Sequence, residues 1–390
     1  MASVIVSGAR TPFGRLGGAL ASVPATTLGA TAVRAAVARA QVAPAGVDQV
    51  ILGMVLQAGA GQIPSRQASM GAGLPVGVVS ETLNKVCASG LRSVFWADLL
   101  IRTGEARTVV AGGMESMSRA PYLLTGARFG YRMGDGTLVD AMRYDGLWST
   151  FDEATMGAQG DRLAAEAGIS RAEQDRWALR SHERAIAALD AGRLAEEIEP
   201  VAVSERGRAT EVATDEAPRR DTSLERLAAL RPAFGAEGTI TAGNAPGVND
   251  GACALVLMDE EEARAQGLEA LAKVVGHGAV SDEPYQLGRV PAAAGLRALE
   301  RAGRRPADLR RAEINEAFAA VTLQSVGLLG IDEAIVNVNG GAIAFGHPIG
   351  ASGARILLTL LLELRRAGGG LGLAAICSGG GQGEALLVEV

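Results

Sequence analysis

The chain is poor in the residues that build several familiar kinds of site. Among its 390 residues are three cysteines, spaced too far apart for a disulfide framework or a clustered zinc site. Lysine occurs only at Lys85 and Lys273, and a formal net charge of −6 argues against a general nucleic-acid binder. No apolar run reaches the roughly 18 residues needed to span a bilayer. We therefore expect a globular protein with no metal, no membrane and no nucleic-acid partner.

The two ends of the chain bear on location. The first residues, MASVIVSGARTPFG, enter a β-rich run without a basic apolar leader or an Arg-rich presequence. The last residues, ALLVEV, match no peroxisomal or retention signal. We therefore expect a cytoplasmic protein with reduced thiols.

An internal repeat organises the chain. Two predicted helices open with the same motif, ASG-x-R, at Ala88 and Ala351, which are 263 residues apart. A second pair of segments places a helix, a Pro-Ala turn and a strand in the same order, with Pro44 and Pro306 separated by 262 residues. Two pairs with nearly one offset predict a duplicated α/β unit. Strands alternating with helices predict largely parallel sheets with right-handed crossovers.

A polar region rich in Arg, Asp and Gly separates the two halves. It contains a predicted helix capped by Ser170, with Glu173 three residues on, that runs to about Ala191. So long an excursion is usually functional, and we expect it to form a lid or ligand wall. The predicted division is a first core part at 1–116, an inserted loop domain at 117–250 that returns to the N-terminal core near its end, and a C-terminal core half at 251–390.

Cys87 lies in NKVCASGLRS at a predicted strand–turn–helix junction. The free N–H groups and the dipole of a helix N-terminus favour a thiolate, so we expect a lowered pKa and a nucleophile. Such junctions also lie at the carboxyl edge of a sheet, where α/β proteins place their sites. The alternative is a small buried residue at a crowded turn.

His347 lies in NVNGGAIAFGHPIGASGAR, immediately before the second ASG-x-R helix. Subtracting the offset of 263 places it at the same joint as Asn84 in the first half. If the halves pack about a pseudo-twofold axis, Cys87 and His347 face each other across it. The alternative is a structural histidine in a glycine-rich loop.

Two further segments carry candidate groups. Cys377 ends an apolar strand and opens CSGGGQG, where Gly379–Gly381 let backbone N–H groups approach a ligand, and its thiol suits proton transfer. In NEAFAA, Asn315 could position a water, while Glu316 could equally cap the next helix. No chemistry is assigned to the remaining candidates, Cys253, His182 and His277.

The chain resembles the thiolase family. NKVCASGLRS, NEAFA, NGGAIAFGHPIGASGAR and CSGGGQG are each similar to a thiolase signature and occur in the family's order. RTPFG, LRPAF and TAGNAPGVNDGA also fit, so the resemblance covers essentially the whole chain. It implies an α/β fold of two duplicated βαβαβαββ halves in a five-layer αβαβα body with an inserted loop domain. It also implies thioester chemistry on coenzyme A substrates, without a permanently bound cofactor.

The resemblance assigns a role to each catalytic candidate. Cys87 would take the acyl group as a thioester, and His347 would accept its proton and help form a first oxyanion hole. Asn315 would hold the water that completes this hole around an enolate. Cys377 would remove a proton from the methyl group of the second acetyl-CoA. The backbone N–H groups of Cys87 and Gly379 would form a second hole.

The resemblance also implies coenzyme A contacts. Arg219 matches an arginine near the adenine and its 3′-phosphate. The other matching positions, most of them along the pantetheine tunnel, are Leu147, Met156, Phe234, Ala242, Pro246 and Phe318. Three residues depart from the family pattern: Pro246 replaces a serine that contacts pantetheine, Thr155 replaces a histidine common in short-chain enzymes, and Leu287 replaces a methionine over the acyl pocket.

The favoured hypothesis is an acyltransferase of the biosynthetic type, which reversibly joins two acetyl-CoA into acetoacetyl-CoA and CoA. Thr155 and Leu287 leave open a degradative 3-ketoacyl-CoA thiolase of fatty-acid β-oxidation. A remote alternative is a non-catalytic acyl-CoA or lipid binder on the same fold. The run GYRMGDGTLVDAM resembles the family's tetramerisation loop and implies a homotetramer, a dimer of dimers.

Overall fold

The computed structural model describes residues 2–205 and 208–390 and divides into two similar halves around an insertion. The first half comprises β1 (Ser3–Arg10), β2 (Gly14–Arg15), α1 (Ala25–Arg39), β3 (Gln49–Gly53), α2 (Pro64–Gly71), β4 (Val79–Leu83), α3 (Ser89–Thr103) and β5 (Thr108–Ser116). The insertion comprises β6 (Tyr122–Leu123), β7 (Val139–Asp140), β8 (Trp148–Ser149), β9 (Ala154–Thr155), α4 (Met156–Glu166), α5 (Arg171–Asp190), β10 (Val201–Glu205), β11 (Arg208–Val212) and α6 (Leu224–Ala228). The remainder comprises β12 (Asn249–Asp259), α7 (Glu260–Ala265), β13 (Ala272–Ser281), α8 (Arg289–Arg301), β14 (Leu309–Ile314), α9 (Ala319–Leu329), α10 (Ala342–Phe345), α11 (Ser352–Arg366), β15 (Leu371–Ser378) and β16 (Gln382–Glu389).

The predicted duplication is confirmed by the order of the strands. The central sheet runs β14-β15-β16-β13-β1-β12-β5-β3-β4, with β2 paired to β12. Counted outward from the middle, β13-β16-β15-β14 repeats β1-β12-β5-β3. The halves join through β1 and β13, where Val4 pairs with Lys273 and Ile5 with Ala272. Helices α3 and α11 begin 263 residues apart, at Ser89 and Ser352.

The helices and the two halves of the sheet form alternating layers in the order αβαβα, as expected. Helices α3 and α11 pack against each other in the centre, and each also packs against strands of the sheet. Helices α1 and α2 cover the first half, and α8 and α9 cover the second. Among residues 2–205 and 208–390, no helix combines the length and apolar composition needed to cross a membrane.

The glycine of each ASG motif lets the two central helices touch at their N-terminal ends. A Cβ atom at Gly90 would lie 2.9 Å from both the Gly350 carbonyl oxygen and the Ala354 nitrogen. A Cβ atom at Gly353 would collide with the backbone nitrogen of Leu91. The loops that precede α3 and α11 are therefore brought together across the pseudo-twofold axis.

The prediction of largely parallel sheets is wrong, because the central sheet is mixed. Strands pair in parallel at β3–β4, β3–β5 and β14–β15. They pair antiparallel at β1–β12, β5–β12, β13–β16 and β15–β16. The turn Gly379–Gly381, in which Gly380 and Gly381 have φ of 76° and 65°, joins β15 directly to β16. So short a connection makes a hairpin, whereas a parallel pair needs a long crossover.

The insertion contains the predicted helix, but one predicted domain boundary cuts a strand. Helix α5 begins after Ser170, whose side chain and that of Glu173 form a capping box, and this confirms the predicted helix. The predicted boundary at 250/251 falls inside β12, which pairs with β1 and β5 of the first half. We therefore place the break between the halves after Asp259, and the division into domains stays a prediction.

Candidate active site

Cys87 lies in a tight turn between β4 and α3. The preceding residue, Val86, has φ of 43°, a left-handed conformation that is unusual for a β-branched side chain. The Ser89 hydroxyl accepts from the Lys85 N–H at 2.8 Å and donates to the Val86 carbonyl at 2.6 Å. The Ser378 hydroxyl, from the second half, donates to the Lys85 carbonyl at 2.5 Å. The turn that presents Cys87 is therefore held from both halves.

The expected lowering of the Cys87 pKa is wrong. Cys87 is only 7% exposed, and burial raises its pKa to about 12. The nearby backbone N–H groups of Cys87 and Gly379 oppose this rise, but they do not overcome it. The buried charge of Glu115 adds to it. Cys87 is therefore a neutral thiol, because loss of solvation outweighs the donors at the helix start.

His347 is held on the loop that precedes α11. Its N–H donates to Asn249 Oδ1 at 2.9 Å, and Gly346 before it has φ of 108°. Its Nδ1 lies 2.6 Å from the Ser352 hydroxyl, while Nε2 has no hydrogen-bond partner among the described residues. Burial, and secondly the charge of Arg355, lower its pKa to about 3. The resting imidazole is therefore neutral, with one buried nitrogen free to act.

Cys377 occupies the second-last position of β15, directly before the turn to β16. It is almost completely buried, and burial raises the pKa of its thiol, with the neighbouring Cys87 adding to the effect. The two sulfurs are thus near enough to influence each other. Cys253 is buried among apolar side chains such as Leu255 and Leu257 of the core, as predicted.

Asn315 and Glu316 follow β14 and behave differently from each other. Asn315 is fully buried, and neither its Oδ1 nor its Nδ2 has a partner among the described residues, which suits a bound water. Glu316 does not cap the next helix, α9, but its carboxylate bonds to the first turn of α10. Its carboxylate accepts from Trp177 Nε1 at 2.9 Å, Ser181 Oγ at 2.7 Å and the Ile343 N–H at 3.0 Å. It therefore ties α5 to the loop that leads to His347.

One apolar cavity of about 390 Å³ collects most of the candidate residues. Its walls include Cys87, His347, Cys377 and Gly379, together with Leu147, Met156, Phe234, Pro246 and Phe318. Arg219 and Ala242 line a neighbouring cavity of about 210 Å³. The two cavities share Ala245, Gly247 and Val248, so they lie on either side of one wall. Asn315 is not part of either lining, although Ala317 and Phe318, which follow it, line the larger cavity.

The residues that depart from the family pattern also have defined surroundings. The Thr155 hydroxyl accepts from the Ala158 N–H at 3.2 Å and so caps α4. Leu287 is fully buried in an apolar cluster with Phe318 and Cys377. Pro246 lines the larger cavity and has no N–H to offer a ligand.

Several residues that organise the site were assigned no role from the sequence. Asn249 binds the His347 backbone from β12, and the fully buried Glu115 accepts from the Gly350 N–H at 3.0 Å. His182, assigned no chemistry, accepts from the Arg219 N–H at 3.2 Å and lines the smaller cavity. Ser352 lies in the repeated ASG motif and Asn249 lies in TAGNAPGVNDGA, so these two motifs could have revealed them.

Comparison with known proteins agrees with this geometry. Residues 3–261 match the family model described as thiolase, N-terminal domain, and residues 268–390 match thiolase, C-terminal domain. The chain is 50% identical over 387 residues to an acetyl-CoA acetyltransferase of Cupriavidus necator, covering 99% of this chain and 98% of the relative. It is 49% identical over 384 residues to an acetyl-CoA acetyltransferase of Pseudomonas aeruginosa, covering 98% of each. It is 48% identical over 386 residues to a probable acetyl-CoA acetyltransferase of Escherichia coli, covering 99% of this chain and 98% of the relative.

Proposed function

The chain belongs to the thiolase family, and from this premise we propose that it joins two acetyl-CoA into acetoacetyl-CoA and CoA, and catalyses the reverse thiolysis. The observation that carries the proposal is the single cavity onto which Cys87, His347, Cys377 and Gly379 open. The printed names of its full-length relatives support the same activity. The substrates are coenzyme A thioesters, and the proposed chemistry uses no permanently bound cofactor.

In the first half-reaction the Cys87 sulfur attacks the acetyl carbonyl while its proton passes to His347 Nε2. Both groups rest in their neutral forms, so attack and proton transfer occur together. The N–H groups of Cys87 and Gly379, which lie near this sulfur, stabilise the tetrahedral oxyanion. Collapse breaks the bond to CoA and leaves acetyl-Cys87. The CoA thiolate then takes the proton of Cys377, leaving an imidazolium at His347 and a thiolate at Cys377.

In the second half-reaction the Cys377 thiolate removes a proton from the methyl group of the second acetyl-CoA. The His347 Nε2–H and a water held by Asn315 stabilise the enolate oxygen. The enolate carbon attacks acetyl-Cys87, and the Cys87 thiolate leaves and regains its proton from His347. Every group returns to its resting protonation state, so two acetyl-CoA give one acetoacetyl-CoA and one CoA.

The surroundings of the acyl end favour short substrates over the long chains of a degradative thiolase. Leu287 and Phe318 pack together beside Cys377 and close this part of the cavity. Thr155 lines the same cavity, and the bond from its hydroxyl to the start of α4 fixes its side chain there. We therefore expect a thiolysis kcat/KM at least ten times higher for acetoacetyl-CoA than for 3-oxooctanoyl-CoA, measured in one assay with free CoA.

Two outcomes would contradict this proposal in different ways. A preference for 3-oxooctanoyl-CoA would assign the protein to degradation of longer chains. Absence of an acetyl adduct on Cys87, measured by intact mass after exposure to acetyl-CoA, would favour a non-catalytic binder. The matched control is Cys253→Ala, which removes a buried thiol outside the cavity and should keep the adduct.

We also propose a homotetramer. The segment around β6 and β7 carries exposed apolar side chains, with Phe129 at 92% and Met133 at 96% exposure. Contacts between copies would bury such a surface. Light scattering of the purified protein should give four times the chain mass, and Met133→Asp should reduce it. A mass unchanged by that substitution would place the contact elsewhere.

A further inference from the structure

The ASG motif repeats a serine as well as the glycine that lets the helices touch. Ser89 and Ser352 are the first residues of α3 and α11, and both are fully buried. In the first half, the Ser89 hydroxyl fastens the Lys85–Val86 backbone in front of Cys87. In the second half, the Ser352 hydroxyl meets the ring of His347. The repeated serine therefore holds the catalytic loop of each half.

We propose that Ser352 is a positioning residue that keeps the His347 proton on Nδ1, so that Nε2 presents its lone pair to Cys87. This inference rests on the proposed thiolase function and adds a residue to it. It assigns Ser352 no contact with substrate.

The hydrogen-bond partners of Ser352 determine which nitrogen of His347 holds the proton. A hydroxyl group has one proton to donate and two lone pairs to accept with. The Ser352 hydroxyl lies 2.9 Å from the Pro348 carbonyl, an acceptor with no proton of its own. With its proton directed there, its oxygen accepts from the His347 Nδ1–H at 2.6 Å. A neutral imidazole protonated at Nδ1 has its lone pair on Nε2.

The other nitrogen is in the position that the reaction requires. His347 Nε2 is buried without a partner among the described residues, and the ring lines the cavity that contains Cys87. A base that takes a thiol proton must have a free lone pair. The same hydrogen bond also stabilises the imidazolium that forms, because Nδ1 keeps its proton throughout.

Comparison of the halves shows how one motif supports two tasks. The position equivalent to His347 in the first half is Asn84, whose Oδ1 accepts from the Val86 N–H at 2.9 Å. In the first half, the Ser89 hydroxyl bonds only to backbone groups, accepting from the Lys85 N–H and donating to the Val86 carbonyl. In the second half a ring nitrogen takes the place of one of these backbone partners.

The test compares Ser352→Ala with Ser352→Thr, which keeps the hydroxyl. We expect Ser352→Ala to lower kcat of condensation by about 10- to 100-fold. This is the range found when the hydrogen-bond partner of a metal-ligating histidine is removed, and it is used here by analogy. KM for acetyl-CoA should stay within about twofold, because Ser352 does not line the cavity. The acetylation rate of Cys87 should fall with kcat, and Ser352→Thr should restore most of both rates.

Ser93→Ala is the matched control. Ser93 is also fully buried on α3, and its hydroxyl lies 2.8 Å from the Gly90 and Gly112 carbonyls, one of which accepts its proton; it has no hydrogen bond to Lys85, Val86 or His347. It should lose stability while keeping kcat. Equal losses of kcat in Ser93→Ala and Ser352→Ala would reduce Ser352 to a packing role and overturn the inference.

The remaining outcomes separate this inference from the proposed function. A wild-type protein that acetylates Cys87, together with an equally fast Ser352→Ala, overturns the inference alone. A wild-type protein that forms no acetyl-Cys87 overturns the proposed function and the inference with it. If Ser352→Ala does not fold, Ser352→Cys supplies the weaker acceptor, and an undiminished kcat in that variant overturns the inference.

Discussion

The backbone N–H of Gly379 lies near the sulfur of Cys87 and opposes the rise in the pKa of its thiol, so a turn in the second half supplies an N–H donor to the candidate nucleophile in the first. This donor precedes any substrate and needs no rearrangement when an oxyanion forms. Preorganised donors of this kind are worth about 10²–10³ in rate when one is removed.

The role of the Gly379 N–H can be tested separately from the effect of adding a side chain at this position. A Cβ at Gly379 would meet Val86 Cγ1 at 3.5 Å, an ordinary contact, so Gly379→Ala should keep most of the activity. Gly379→Pro lacks the N–H and should acetylate Cys87 about 100 times more slowly or worse. Single-turnover acetylation measures the difference, and circular dichroism checks that both variants fold. Equal acetylation rates in the two variants would show that this N–H does not stabilise the oxyanion.

Cys377→Ala should separate the two half-reactions. Acetylation of Cys87 involves no C–H bond, so a stoichiometric acetyl adduct should still form with acetyl-CoA. Condensation needs the missing base and should fall by about 10²–10⁴ in kcat. Intact mass measures the first step, and acetoacetyl-CoA formation measures the second. Loss of adduct and condensation together would instead indicate a shared structural role.

Arg219 and Arg220 form a matched pair for the coenzyme A contact. Arg220 makes two hydrogen bonds with Asp190, whereas Arg219 forms no ion pair among the described residues and lines the smaller cavity. Arg219→Ala should raise KM for acetyl-CoA about tenfold at unchanged kcat, since a hydrogen bond to a charged group is worth about 1.5–3 kcal/mol. KM for acetyl-pantetheine, which lacks the phosphates, should not change. Arg220→Ala should leave both values unchanged, and a reversed pattern would exchange the two assignments.

Glu115 makes stability depend on pH. Burial raises its pKa from 4.5 to about 7, although its carboxylate accepts from the backbone N–H groups of Val55, Leu56 and Gly350. Between these values the folded chain binds the proton more tightly than the unfolded chain. Its contribution to stability is therefore lost as pH rises from about 4.5 to about 7, by roughly 3 kcal/mol. Glu115→Gln cannot ionise and should show a flatter decline of Tm from pH 5 to pH 8. Parallel declines would contradict this assignment.

The duplication was predictable because two pairs of motifs are separated by almost the same number of residues, 263 and 262. Helices α3 and α11 begin within the repeated ASG motif, as expected. The relative direction of the strands was not predictable, because it depends on whether the chain returns through a short hairpin or a long crossover. The three glycines between Cys377 and Gln382 are a sequence signal for the hairpin. In contrast, nothing in the long insertion before β12 indicates that this strand pairs with β1.

The identities of the candidate site residues follow from local motifs, whereas their physical state does not. Cys87 lies near a helix start, as predicted, yet burial by the other half raises its pKa instead of lowering it. Asn249 and Glu115 hold the His347 loop through bonds that span 98 and 235 residues, and no local pattern indicates such distant partners.

The contact between α3 and α11 at Gly90 and Gly353 links catalytic competence to completion of the fold. Cys87 belongs to the part of the chain that emerges first, while His347, Cys377 and Gly379 are made almost last. Until the two helices dock, the cysteine has neither its base nor its second donor. If the proposed mechanism holds, an unfinished or half-unfolded chain cannot form acetyl-Cys87, and acetylation of Cys87 marks a molecule whose two halves have docked.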